Sequence, residues 1–218
     1  MTMRIAVAIS GRGSNLEALL RAMDAEGPAE IVLVITDKPE APGLEHARRR
    51  GIPVTVISDA GAPECWLQSL REKRIDLLVL AGYLQLVPAG VVAAYRGRIM
   101  NTHPSLLPAF GGKGMYGERV HRAVLASGAR ETGVTIHLVD EAYDRGSILA
   151  QSRVPVREDD TPERLAARVL EVEHRLLPAV VLAAAAAGRP VVLGESEVRS
   201  QESGVPSARP GSPLKGSA

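Results

Sequence analysis

Short runs of Val, Ile and Leu recur along the chain with amphipathic stretches between them, and this alternation is the main structural signal in the sequence. Apolar runs at 4–9, 30–35, 53–57 and 75–80 predict strands, and segments near 15–25, 42–51 and 63–73 predict helices between them. Strands that alternate with helices form parallel sheets, because each parallel connection needs a crossover. A further helix at 88–95 leads into a short strand, Arg98-Ile99-Met100-Asn101. Thr132 to Val139 and Ile148 to Val156 then read as two strands joined by an acidic turn, Asp140-Glu141-Ala142-Tyr143-Asp144-Arg145-Gly146, a spacing that suits antiparallel pairing. The predicted fold class is α/β: a doubly wound, mostly parallel sheet with an antiparallel extension at one edge.

A long helix should follow. Thr161 suits the N-cap, Pro162 the first helical position, and Glu163 the positive end of the helix dipole. Leu165, Val169, Val172 and Leu176 then form an apolar stripe at helical spacing. The Ala-rich run from Val180 to Ala187, bounded by Pro178 and Gly188, is too short to span a bilayer and reads as a buried helix end. Residues 199–218 are rich in Gly, Ser and Pro without apolar periodicity, so the expected organisation is one domain over 1–198 and a mobile tail over 199–218.

Composition narrows the class. Aromatic residues are only 3% of the chain against 45% hydrophobic overall, so the core must be aliphatic. A net charge of +1, one Trp and one Phe offer neither a basic stripe nor stacking platforms, and no nucleic-acid partner is expected. Cys65 is the only cysteine, which excludes an internal disulfide and a cysteine-based zinc site and suits a reducing cytoplasm. The apolar strand that begins at Met3 predicts that no leader precedes it, and no membrane association is expected.

The chemistry concentrates in Asn101-Thr102-His103-Pro104-Ser105-Leu106-Leu107-Pro108. Side chains two apart at a strand end share a face, so an amide donor and an imidazole can converge on one atom. Pro104 and Pro108 restrict the backbone on either side. Ser10-Gly11-Arg12-Gly13-Ser14-Asn15 follows the first strand and opens the first helix, which makes an anion site of the helix N-terminus. A terminal phosphate suits the short, hydroxyl-bearing Gly13-Ser14-Asn15. A dinucleotide fingerprint competes, with Asp37 as the ribose acid, although Leu16 occupies the position of its third Gly or Ala. Asp144 can reach an imidazole from its turn, raising the ring's pKa and fixing its orientation.

Ser10-Gly11-Arg12-Gly13-Ser14-Asn15, Ala81-Gly82-Tyr83-Leu84, Asn101-x-His103-Pro104-Ser105-Leu106-Leu107-Pro108, Asp144-x-Gly146 and Glu173-His174 occur in an order that resembles the phosphoribosylglycinamide formyltransferases, over roughly residues 3–193. The Asn-x-His-Pro block is shared among folate-dependent formyltransferases and a related deformylase. The Gly-rich loop and Glu173-His174 favour the ribonucleotide as acceptor. The resemblance implies a Rossmann-like formyltransferase fold, with Asn101, His103 and Asp144 as the catalytic trio. Gly13, Ser14, Asn15, Leu170 and Glu173 would bind glycinamide ribonucleotide, the first three at its phosphate and Glu173 at the glycinamide amine. Leu84, Gln85, Leu86 and Val87, with Asn101 and with Asp140, Glu141, Ala142, Tyr143 and Asp144, would bind 10-formyltetrahydrofolate.

The implied reaction is direct attack of the amine on the formyl carbon, in purine biosynthesis. Asn101 and a protonated His103 would stabilise the oxyanion, and Asp144 would keep the ring charged and help relay the proton; neither a covalent enzyme intermediate nor a metal is implied. Two positions depart from the family. Gln85 stands where members often carry a basic residue, and Gly61-Ala62-Pro63-Glu64 offers no Arg, so recognition of a folate glutamate tail is open. The Gly-rich segment 109–117 is expected to move as a flap. Monomer and homodimer both remain open. Rival functions are a tRNA formyltransferase, which needs a further basic domain, a formyltetrahydrofolate deformylase, which carries an added N-terminal domain, a nicotinamide-dependent dehydrogenase, and a non-catalytic binding module.

Overall fold

A computed structural model describes residues 2–23, 27–59, 61–194 and 198. The expected tail at 199–218 lies outside the described residues. Strands β1 (Met3–Ile9), β2 (Ala29–Thr36), β3 (Val54–Val56), β4 (Leu77–Leu80), β5 (Ile99–His103), β6 (Glu131–Leu138) and β7 (Ile148–Pro155) alternate with helices α1 (Ser14–Ala22), α2 (Leu44–Arg49), α3 (Pro63–Glu72), α4 (Ala89–Ala94), α5 (Glu118–Ala126) and α6 (Pro162–Ala187). They form one seven-stranded sheet in the order β3-β2-β1-β4-β5-β6-β7. Pairing is parallel from β3 to β5 and antiparallel for β5 with β6 and β6 with β7. The expected doubly wound sheet with an antiparallel edge is what the chain forms.

Alternate residues of the central strands feed two cores. Ile5, Val7 and Ile9 pack with Leu16 and Leu19 of α1 and with Leu165, Val169, Leu176 and Val180 of α6. Ala6, Ala8, Leu78 and Leu80 pack on the other face with Trp66 and Leu70 of α3 and Val91 of α4. Burial on both faces explains why β4, Leu77–Leu80, is apolar at every position. Trp66 meets Tyr83 edge-on at 5.3 Å, which pins the segment after β4 to the second core.

Two elements depart from the sequence reading. Pro178 does not bound the last helix: α6 runs through it and ends at Gly188, whose φ of 69° is left-handed. An internal proline costs about 3 kcal/mol, and fully buried Leu176, Leu177, Val180 and Val181 offset it. Helix α5 had no predicted counterpart. It is only nine residues long and follows a Gly-rich segment, so its apolar face amounts to little more than Val120 and Val124.

The strand order reverses between β1 and β4, and the chain leaves these neighbours toward opposite faces of the sheet. Ligands in open α/β sheets bind in the crevice at such a switch point, beyond the carboxyl ends of the strands. Ser10 N–H donates to the Gly82 carbonyl at 3.2 Å, fastening the two diverging loops at the base of that crevice.

Candidate active site

A cavity of about 680 Å³ opens at the switch point. Strand β5 continues two residues beyond its predicted end, so Asn101 and His103 occupy alternate positions of one strand and both line the cavity. Antiparallel pairing with β6 sets His137 opposite Asn101 and Thr135 opposite His103. Asn101 Nδ2 lies 3.0 Å from His137 Nε2, while His137 Nδ1 lies 2.8 Å from the Leu138 carbonyl oxygen. That carbonyl can only accept, so Nδ1 carries a proton, and Nε2, when bare, is the acceptor for Asn101. One N–H of the Asn101 amide is left for the cavity.

His103 is 3% exposed. Its Nε2 donates to the Phe110 carbonyl at 2.9 Å, and its Nδ1 stands 3.6 Å from Asp144 Oδ2. The other Asp144 oxygen is 3.6 Å from His137 Nε2, so one carboxylate faces two imidazoles through electrostatic contacts longer than hydrogen bonds. Gly112 N–H donates to Asp144 Oδ2 at 2.9 Å, tying the carboxylate to the Gly-rich segment. Asp144 has a left-handed φ of 54° in the turn between β6 and β7. Gly146 makes that turn possible: a Cβ there would fall 1.8 Å from the Leu138 carbonyl oxygen.

Burial drives the His103 ring below its ordinary pKa; Asp144 and the Phe110 carbonyl oppose this, and His137 adds to the lowering. The expected protonated His103 is therefore corrected to a ring biased toward neutrality in the protein alone. Counting the nearby carboxylate gave the sign of one contribution; the depth of burial gave the larger one. Burial raises Asp144, but the facing His137, the Gly112 N–H and His103 outweigh it and hold the carboxyl below its usual range.

Glu173 projects from α6 at 7% exposure into the same cavity and accepts a 2.6 Å hydrogen bond from Asn15 Nδ2. Burial pushes its carboxyl up to about 7, against the opposing Asn15 bond. Asn15 Oδ1 is buried without a hydrogen-bond partner, an unmet acceptor in the cavity wall. Upstream, Gly13 adopts φ 70° and approaches the start of α2 so closely that a Cβ would meet Gly43 Cα at 2.7 Å.

The predicted site residues divide. Asn15, Leu84, Gln85, Leu86, Val87, Asn101, His103, Asp140, Ala142, Tyr143, Asp144, Leu170 and Glu173 line the cavity. Gly13 and Ser14 do not; Ser14 lines a separate groove beside Glu17, Arg21 and His174. Glu141 is directed away, into a hydrogen-bonded ion pair with Arg96. Asp37, the candidate ribose acid, accepts a 2.6 Å hydrogen bond from Ser10 Oγ, which itself accepts from Leu84 N–H at 3.0 Å. The carboxylate thus braces the loop after β4.

Among the lining residues to which sequence reasoning gave no role of their own are Arg12, His121 and His137. His137 had a usable signal, since Thr135 and His137 alternate with apolar Val134 and Ile136 on the strand before the acidic turn. His121 had none: it is 4% exposed on the unpredicted helix α5, and its Nδ1 is buried without a partner.

Comparison with known proteins agrees with this geometry. Residues 3–181 match the formyl transferase family. The chain is 46% identical over 211 residues to a chloroplastic phosphoribosylglycinamide formyltransferase of Arabidopsis thaliana, covering 93% of this chain and 69% of that protein. It is 48% identical over 185 residues to the corresponding protein of Vigna unguiculata, covering 82% of this chain and 59% of that protein. Among solved structures, phosphoribosylglycinamide formyltransferase from Anaplasma phagocytophilum superposes with a TM-score of 0.80 at 38% identity, over 86% of this chain and 88% of that one.

Proposed function

The chain belongs to the formyl transferase family, among the phosphoribosylglycinamide formyltransferases, and on that premise we propose that it transfers a formyl group from 10-formyltetrahydrofolate to the amine of 5-phosphoribosylglycinamide in purine biosynthesis. The observation that carries the reading is the convergence of Asn101, His103 and Asp144 in one cavity with the Asn15–Glu173 pair. The first three supply donors and a proton acceptor; the pair supplies acceptors for donor groups of a polar substrate.

The cavity suits the folate. Exposed Leu84, Leu86 and Ala142 provide apolar surface, and the adjoining backbone offers polar edges to a flat ring. The folate brings the activated formyl carbonyl. The free N–H of Asn101 donates to the oxygen on which negative charge develops, and so does Nδ1–H of His103 once that ring is protonated, its Nε2–H being held by the Phe110 carbonyl. As that charge grows, the His103 ring gains an anionic neighbour and can carry the proton that burial alone disfavours. Asp144 accepts the amine proton through water and returns it toward the departing nitrogen, so amine attack proceeds without a covalent enzyme intermediate. The proposed partners are the ribonucleotide and the folate, and the single cysteine, exposed Cys65, supports a cytoplasmic setting.

The test follows the absorbance of released tetrahydrofolate with and without the ribonucleotide. Release that requires the ribonucleotide supports the transferase; release without it makes the protein a deformylase.

A further inference from the structure

We infer that Arg12 is the phosphate-pairing, specificity-determining residue of the ribonucleotide site, an inference that rests on the reading proposed above. The cavity is acidic: Glu118, Asp140, Asp144, Glu163 and Glu173 all line it. Among the described residues, Arg12 is its one Lys or Arg. A ribose phosphate entering this field carries close to two negative charges at neutral pH. Without a fixed cation on its path it would be repelled.

Arg12 is available for that role. Among the described residues its exposed side chain has no ion pair and no hydrogen bond. Three nearby arginines are already engaged: Arg21 with Glu17, Arg49 with Glu45, and Arg50 with the Leu20 carbonyl. An unengaged guanidinium on a cavity wall can place paired N–H donors on two phosphate oxygens.

Its position favours the phosphate over the carboxylates of a folate tail. Arg12 lies in the turn that enters α1, a helix of nine residues with no side-chain N-cap, so the positive end of the helix adds to its field. Three residues on, nine-tenths-buried Asn15 points into the cavity with Oδ1 unpartnered and Nδ2 on Glu173. The same turn therefore offers acceptors for hydroxyl or amine donors and a cation for phosphate. Gly13 and Ser14 lie off the cavity lining, whereas Arg12 is on it.

The test compares wild type, Arg12→Ala and Arg12→Lys. Calorimetry with ribose 5-phosphate, ribose and the full ribonucleotide reads binding without catalysis; steady-state transfer with each substrate varied reads function. Arg12→Ala should weaken ribose 5-phosphate and the ribonucleotide about tenfold or more, with partial recovery in Arg12→Lys. Its KM for ribonucleotide should rise while kcat stays within roughly twofold, and the salt dependence of kcat/KM should flatten. Unchanged affinity for both phosphorylated ligands in Arg12→Ala overturns the inference, as does a KM increase confined to the folate donor. Wild type that binds the phosphorylated ligands through Arg12 but transfers no formyl group would sink the proposed reaction and leave the phosphate site standing.

Discussion

Asn15 donates a 2.6 Å hydrogen bond to Glu173 across a sequence separation of 158 residues. It joins the first turn of α1 to the middle of α6, so the two ends of the fold share one wall of the cavity. The bond also places a carboxyl where burial pushes its pKa up to about 7.

A pH dependence follows from Glu173. Its pKa in the folded chain exceeds the ordinary 4.5, so the folded state binds that proton more tightly than the unfolded state does. Stability is therefore present in full below pH 4.5 and declines as pH rises from 4.5 to about 7. Glu173→Gln removes this loss, so the variant should gain stability over wild type by up to about 3 kcal/mol at pH 8 and much less at pH 5. Urea denaturation of both proteins at the two pH values checks this, and an equal gain at both would contradict it. Wild type should show a rise in KM for ribonucleotide on acidification below about pH 7, because the protonated carboxyl is a poorer acceptor, and the variant should lose it.

Asp144 faces both His103 and His137 at 3.6 Å and has no hydrogen bond or ion pair to the turn before α1. Asp144→Asn should lower kcat by roughly two or more orders of magnitude with a small change in ribonucleotide affinity. Because its carboxyl is held below the usual range, the wild-type kcat should lose the contribution of ionised Asp144 only at pH values below that range. Single-turnover transfer beside calorimetric binding separates the two effects. Equal kcat in wild type and variant removes Asp144 from the reaction.

Gly43 meets Gly13 where a Cβ on either residue would fall 2.7 Å from the other's Cα. Gly43→Ala forces the turn before α1 away from α2. The expected cost is about 1–3 kcal/mol, with weaker ribonucleotide binding because Arg12 and Asn15 shift with the turn. Thermal unfolding together with calorimetry checks both effects; a stable variant of unchanged affinity would show that the turn relaxes without cost.

Gly112, Gly114 and Gly117 all adopt positive φ in the segment between β5 and α5. Gly112 holds Asp144, and Gly114, Met115 and Tyr116 line the cavity. The segment should be cut by protease in the free protein and protected when ribonucleotide and a folate analogue are both bound. Equal cleavage with and without the ligands would refute its role as a flap.

Much of this was readable in the sequence. Val/Ile/Leu runs placed β1 to β4, and Thr161-Pro162 placed the start of α6, whose cap is formed by Thr161 Oγ1 accepting from Arg164 N–H. Asn101 and His103 were legible from the strand end and its prolines and Asp144 as a candidate in its Gly-bounded turn, and the family resemblance joined the three as a trio. His121 was not legible, since a histidine on an apolar helix face looks the same whether it meets a core or a cavity, while the alternation that marks His137 went unused. Ser14 lies outside the cavity lining, because a helix N-terminus offers several adjacent residues and the helix's rotation decides which of them faces the cavity.

Local patterning thus settles the identity and order of most elements, since hydrophobic periodicity and caps act within a few residues. Tertiary structure alone decides which side chains share the cavity and how they are charged. Glu173 reads as a solvated helix acid until α6 packs on α1, and His103 reads as a charged ring until β6 and the 109–117 segment bury it. Burial and approach across 158 residues are properties of the folded chain, and desolvation sets the dominant part of both pKa shifts.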